Sequence, residues 1–151
     1  PYAHRWAPRD GATLPPVATV WEAIGDLPPL RNASSALDVR PYSSPARSSF
    51  QHRMRAGATW LFNHVSHELT DRMLARLEHI PEGGNWRDIP FELLPKGMQR
   101  ARASDHTTRY GRLHRDALCC TVLTKCDPHW GSYVHPRDMR TISVREAARL
   151  Q

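Results

Sequence analysis

Arg140-Thr141-Ile142-Ser143-Val144-Arg145-Glu146-Ala147-Ala148-Arg149-Leu150-Gln151 carries the clearest local signal in the chain. Ser143 followed three residues later by Glu146 is a capping box, in which the hydroxyl accepts from the Glu amide and the carboxylate reaches back to the Ser amide. Val144, Ala147, Ala148 and Gln151 then recur at i, i+3, i+4 and i+7, which places them along one side of a helix. The spacing predicts a helix over 144–151. It receives no C-terminal cap, so a cut polypeptide or a covering partner is the expectation for its end.

The same logic finds two more helices upstream. Thr19-Val20-Trp21-Glu22 is a second capping box, Val20, Ala23 and Ile24 supply an apolar face, and Gly25 with Pro28-Pro29 stops the helix within two turns. Thr70 is an N-cap with Asp71 in the first turn and Leu69 placed to staple against Leu74. Met73, Leu74, Leu77 and Ile80 form the buried face of that helix, and Pro81 with Gly83-Gly84 ends it. Residues 1–16 read as an irregular approach, and 31–49, rich in Ser, Pro, Ala and Arg, as an exposed loop. Tyr110–Leu113, Ala117–Thr124 and Ser132–His135 have the β-branched and aromatic character of short strands, separated by Asp116 and by a turn from Asp127-Pro128 to Gly131. The expected class is α+β and strand-rich.

A chain of 151 residues is long enough for one domain with an appendage, and 13 prolines argue for short elements. The formal charge is +6, and all but two of the 21 basic residues, Lys96 and Lys125, are arginine. The guanidinium fork suits phosphate oxygens and the guanine edge, so a polyanion is a reasonable partner. That charge is local: residues 96–115 hold six basic side chains and one acid, whereas 66–94 hold six acids and three arginines. Three cysteines, Cys119, Cys120 and Cys126, are odd in number and two are adjacent, which suits a reducing compartment better than a disulfide framework. No apolar run approaches the ~20 residues of a membrane span, and residues 1–10 have no signal-peptide core.

Three stretches together resemble the C-terminal half of cytosine-C5 DNA methyltransferases. They are 19–28 (Thr-Val-Trp-Glu-Ala-Ile-Gly-Asp-Leu-Pro), Asn63-His64 with 80–90 (Ile-Pro-Glu-Gly-Gly-Asn-Trp-Arg-Asp-Ile-Pro), and His135-Pro136 with 140–151. The resemblance implies three parts. Residues 1–30 would be the end of a catalytic domain and its connecting helix, 31–134 a small target recognition domain, and 135–151 a return segment and helix of the catalytic domain, itself a missing α/β, Rossmann-like unit. In this family a Pro-Cys cysteine attacks a flipped-out cytosine and S-adenosylmethionine donates the methyl group; flipping is required because the ring is inaccessible in the stack. Cys119, Cys120 and Cys126 follow Leu118, Cys119 and Lys125, and the chain has no Glu-Asn-Val block and no Gly-rich cofactor loop. The resemblance therefore implies a DNA reader without catalytic residues, with S-adenosylmethionine bound by the missing part.

By resemblance, Thr121 with Thr124, Lys125 and Gly131 form one recognition edge, and Arg100, Arg102, Arg109 and Arg112 the other. Arg140, Arg145 and Glu146 are expected to be scaffold. The implied partners are double-stranded DNA and a catalytic domain or subunit, with no membrane, in a bacterial cytoplasm. A stand-alone sequence-specific DNA-binding module without methyltransferase activity is the alternative. Zinc held by the cysteines with His114, His129 and His135 is disfavoured, because neighbouring strand residues face opposite ways. His64, His67 and Glu68 match no metalloprotease order, and a surface or capping role is expected for them. Of the tryptophans, Trp21, Trp60 and Trp86 read as core, while Trp130 in its turn is placed to touch DNA.

Overall fold

The computed structural model describes residues 16–32, 39–123 and 126–151. Among them are four short α-helices and a pair of strands with a helix between: α1 (Val20–Ile24), β1 (Val39–Pro41), α2 (Ser49–Met54), β2 (Trp60–Phe62), α3 (Asp71–Leu77) and α4 (Val144–Leu150). Two 3-10 turns, Trp86–Asp88 and Phe91–Leu93, follow α3.

The capping boxes form as the spacing dictates. Thr19 N–H donates to the Glu22 carboxylate at 2.9 Å while Glu22 N–H donates to the Thr19 hydroxyl at 3.3 Å. At α4 the Ser143 and Glu146 pair closes at 2.7 and 3.1 Å. Thr70 caps α3, which ends at Leu77 rather than Ile80, although Ile80 remains buried. Helix α2 starts inside the expected loop; its signal was Ser48 with Gln51, a third box of the same type. Gly25 is not left-handed (φ −68°). It is required for room: a Cβ there would lie 2.6 Å from the Trp21 carbonyl oxygen and 2.7 Å from its indole.

The fold is mixed α and β, but it is not strand-rich. Among the described residues one sheet forms, pairing β1 with β2 antiparallel, Arg40 opposite Leu61. The strands expected at 110–113 and 132–135, and the described part of the one expected at 117–124, do not form; isolated bridges join Arg112 to Val134 and Val134 to Thr141. The reason lies in where the backbone hydrogen bonds go. Successive amides of Tyr110, Gly111, Arg112 and Leu113 donate to Pro128, Gly131, Gly84 and Val134, four acceptors on two different segments. An extended run that divides its bonds in this way satisfies its amides without building a ladder. Tyr110 also holds φ +53°, a conformation bulky side chains rarely adopt, and one that interrupts a strand.

Two apolar clusters hold the molecule together. The first gathers Val20, Ala23 and Ile24 of α1, Leu61 of β2, Leu113, Val122, Tyr133, Ile142 and Ala147 of α4. The second surrounds α3 and the 3-10 turns with Leu77, Ile80, Trp86, Ile89, Leu94, Met98, Tyr110 and Val134. Tyr133 and Val134, adjacent in sequence, enter different clusters, as alternate residues of extended chain do. The segment around them therefore stitches the two cores. Among the described residues no helix is long and apolar enough to cross a membrane.

Candidate nucleic-acid interface

Helices α1 and α4 are joined by buried charge. Arg140 meets Glu146 through two bonds, Nη1 to Oε2 at 2.7 Å and Nη2 to Oε1 at 2.8 Å, and each side chain is only 1% exposed. Burial disfavours both charges, but the paired contact outweighs it and keeps the Glu146 carboxyl below its ordinary range and Arg140 above. Arg140 also contacts Asp138 at 3.0 Å. Arg149 reaches across to α1, donating to the Ala23 carbonyl and to Asp26, while Arg55 takes the other Asp26 oxygen at 3.3 Å. Arg145 donates to the Phe62 carbonyl at 2.8 Å and so ties α4 to β2.

Two histidines complete this block. His64, expected at the surface, is fully buried, with Nε2 2.8 Å from the Pro28 carbonyl and Nδ1 2.9 Å from the Ser143 hydroxyl. A carbonyl only accepts, so Nε2 carries the proton and Nδ1 accepts from Ser143. Burial lowers its pKa, consistent with that neutral ring. His135 accepts the Asp138 and Arg137 amides on Nδ1 at 2.9 and 3.3 Å. Burial, then the neighbouring Arg140, push its pKa down to about 4.

The opposite behaviour is seen where residues 108–111 abut residues 128–132. Tyr110 N–H donates to Pro128 at 2.6 Å and Gly111 N–H to Gly131 at 3.3 Å, which locks the two segments edge to edge. The left-handed turn at Tyr110 sends its ring into the core while Arg109, one residue earlier, lies outside. The Arg109 guanidinium stacks 5.3 Å from the centre of the Trp130 ring, which is 53% exposed. His129 meets Trp130 and Tyr110 edge to face and sits 3.2 Å from the Tyr110 hydroxyl. Arg100 and Arg102 are exposed, and neither has a salt-bridge partner among the described residues. A stacked Arg-Trp pair at the surface can meet both a phosphate and a base face.

The eight residues expected to contact DNA divide on inspection. Arg100, Arg102 and Thr121 are exposed and Arg109 is half-buried. Thr124 and Lys125 lie outside the described residues. Gly131 is buried, and a Cβ on it would sit 2.8 Å from the Tyr133 ring, so its small size serves packing. Arg112 is a correction. Its guanidinium is buried and donates to the carbonyls of Leu77, Ile80 and His135 at 3.0, 2.8 and 3.2 Å. A cation against the last carbonyls of α3 complements the negative end of that helix, and these bonds leave it no fork for a phosphate. Sequence reasoning missed Asp26 and Arg149; the signal was the spacing of Arg149 three residues after Glu146, on the same inward side of α4. Trp60, expected in the core, is 53% exposed. Among the described residues no three His, Cys, Asp or Glu side chains are grouped to hold a metal.

Fold and surface together define a small α+β module with a buried ionic spine and an Arg109–Trp130 stack at its surface. The chain matches no protein-family model. It is 36% identical over 89 residues to the type II methylase M.HgiDII of Herpetosiphon aurantiacus, a match covering 58% of this chain and 25% of that protein. It is 32% identical to DNA (cytosine-5)-methyltransferase 4 of Arabidopsis thaliana and 33% to DNA (cytosine-5)-methyltransferase 1A of Oryza sativa subsp. japonica. Each of those matches covers 88% of this chain and 10% of the relative. The chain belongs to the DNA (cytosine-5)-methyltransferase family. It spans a quarter or less of the length of these relatives.

Proposed function

We propose that this chain is the target recognition part of a DNA (cytosine-5)-methyltransferase, holding a specific duplex site while a catalytic domain elsewhere in the enzyme performs the transfer. The observation that carries the reading is the Arg109–Trp130 stack, whose two segments the backbone joins through Tyr110–Pro128 and Gly111–Gly131, with the exposed Arg100 and Arg102 a few residues earlier in the sequence. Guanidiniums there have no carboxylate to neutralise them among the described residues, so they remain available to phosphates, with the exposed indole as the apolar contact. Thr121 lies on the adjoining loop, where hydroxyls reach base edges.

The residues present do not fit S-adenosylmethionine. The cofactor of such enzymes sits at the carboxyl edge of a parallel sheet beside a Gly-rich turn, and the described residues have only a two-stranded antiparallel sheet. No Pro-Cys pair stands in the sequence to attack cytosine. The methyl transfer accordingly belongs to another part of the enzyme. The domain limits that follow are residues 31–134 for recognition, with 1–30 and 135–151 structurally part of the catalytic unit. In support, α1 and α4 pack together through Arg149 and Asp26.

The reading is tested by joining the chain to a family catalytic domain and measuring methyl incorporation into duplex DNA of varied sequence. The expected result is methylation at a restricted set of sites that the catalytic domain alone does not select. Site choice unaltered by this chain would overturn the proposal.

A further inference from the structure

Residues 62–69, which lead from the end of β2 to α3, form a strap that is hydrogen-bonded on two sides. On one side is the outgoing crossing at 28–32, where the chain leaves α1. Ser66 Oγ–H donates to the Arg31 carbonyl at 2.6 Å. Asn32 exchanges two bonds with the Leu69 backbone, its Oδ1 accepting at 2.8 Å and its Nδ2 donating at 3.0 Å. On the other side is the start of α4, where the chain returns. Arg145 N–H donates to the Asn63 carbonyl at 2.9 Å and Arg145 Nε–H to the Phe62 carbonyl at 2.8 Å. Asn63 holds φ +58°, a left-handed conformation that asparagine tolerates better than most residues, and the turn presents both carbonyls to one residue of α4.

The His64 ring joins the two sides. Its Nε2 lies 2.8 Å from the Pro28 carbonyl of the outgoing crossing, and its Nδ1 lies 2.9 Å from the Ser143 hydroxyl that caps α4. The Ser143 hydroxyl already accepts the Glu146 amide, so its own proton points to Nδ1, while the Pro28 carbonyl requires a proton on Nε2. One neutral tautomer therefore satisfies both partners, and burial keeps the ring in that form. Pro28 precedes Pro29, which confines its backbone to extended conformations, so the bonded carbonyl belongs to a stiff piece of chain. A joint that swings has few buried bonds across it. Here a rigid planar ring, itself 0% exposed, fixes the spacing between the two crossings.

We propose that His64 is a positioning residue for methyl transfer, a latch that fixes the angle at which the recognition part is carried on the catalytic unit. The inference rests on the recognition role and the domain limits proposed above. Fully buried, His64 is out of reach of DNA and acts through Pro28 and Ser143. The Arg109–Trp130 stack is formed by other segments, so a loosened latch leaves the grip on the duplex intact and spoils the alignment of the target base with the catalytic groups.

The test joins the chain to a family catalytic domain and compares wild type with His64→Phe, which removes both bonds, His64→Asn, whose Oδ1 can replace Nδ1, and His64→Gln, whose amide nitrogen can replace Nε2. In His64→Phe, kcat for methyl incorporation should fall by about tenfold or more, since small misplacements far from the chemistry have effects of that size. KM for duplex, and the duplex affinity of the isolated chain, should stay within about twofold of wild type, because the phosphate contacts are untouched. His64→Asn and His64→Gln should each recover part of the lost kcat. Arg145→Ala, which drops the bond to the Phe62 carbonyl, should lower kcat in the same direction without altering KM, and it decides the matter if His64→Phe does not fold. Wild-type kcat in the variant that decides, or a loss of kcat matched by an equal loss of duplex affinity, overturns the latch. An isolated wild-type chain that binds no duplex overturns the recognition role and the latch with it, before any variant is compared.

Discussion

The arginines of the α1–α4 block and those of the 100–111 edge are the same residue put to opposite uses. Arg140, Arg149 and Arg112 are buried, and their donors are consumed by Glu146, Asp26 and the carbonyls of Leu77, Ile80 and His135. Arg100 and Arg102 are exposed with no carboxylate partner among the described residues, and Arg109 stands over an indole. Residue type and net charge do not separate the two groups. What separates them is whether folding places an acceptor within reach: the first group must be matched to survive burial, and the second can wait for an external anion.

The largest effect should come from unmatching the buried pair. Arg140→Met leaves the buried Glu146 charge without its guanidinium partner, which costs about 3–5 kcal/mol, a large share of a typical domain's stability. The variant should unfold or lose most of its melting transition. Restoration by pairing it with Glu146→Gln or Glu146→Leu would locate the loss in the orphaned charge, and a fully stable single variant would break the contrast.

Acidification should act next, and also on the inner region. His64 and His135 have folded pKa values below their unfolded value near 6.5, so the unfolded state binds more protons as pH falls. Their contribution is intact above 6.5 and is lost as pH falls below it, for His135 toward about 4, where that ring supplies up to about 1.4 kcal/mol per pH unit. Thermal melts at pH 7 and 5 should show the decline, with a shallower one in His135→Asn, whose amide oxygen can replace Nδ1 as acceptor. A melting temperature flat across that interval would contradict the neutral histidines.

On the outer region stability should barely move. Trp130→Ala removes an exposed ring and one Arg stack, so the melting curve should shift by no more than about 0.5 kcal/mol equivalent. Duplex affinity should fall by about 1–3 kcal/mol if the indole stacks on a base. A strongly destabilised Trp130→Ala would place the indole with the core.

The same distinction governs how much the sequence disclosed. Helices α1, α3 and α4 were legible because their start signals are local: Thr19 with Glu22, Thr70, and Ser143 with Glu146 each satisfy amides within three residues. The strands at 110–113 and 132–135 were not, because β-branched and aromatic content reports extended backbone and says nothing of which acceptors its amides find. Here those acceptors are Pro128, Gly131 and the Gly84 turn. For the candidate face, composition located the basic stretch but could not tell Arg112 from Arg109. That difference depends on the carbonyls of Leu77 and Ile80, more than thirty residues earlier in the chain.

The division of arginines is tested most directly by the salt dependence of duplex binding in Arg102→Ala and Arg112→Ala beside the wild-type chain, with a melting curve for each. Arg102→Ala should reduce the slope of log affinity against log salt by about one and leave the melting temperature in place, while Arg112→Ala lowers the melting temperature and keeps the wild-type slope. The reverse pattern, a diminished slope in Arg112→Ala with full stability, would contradict the account.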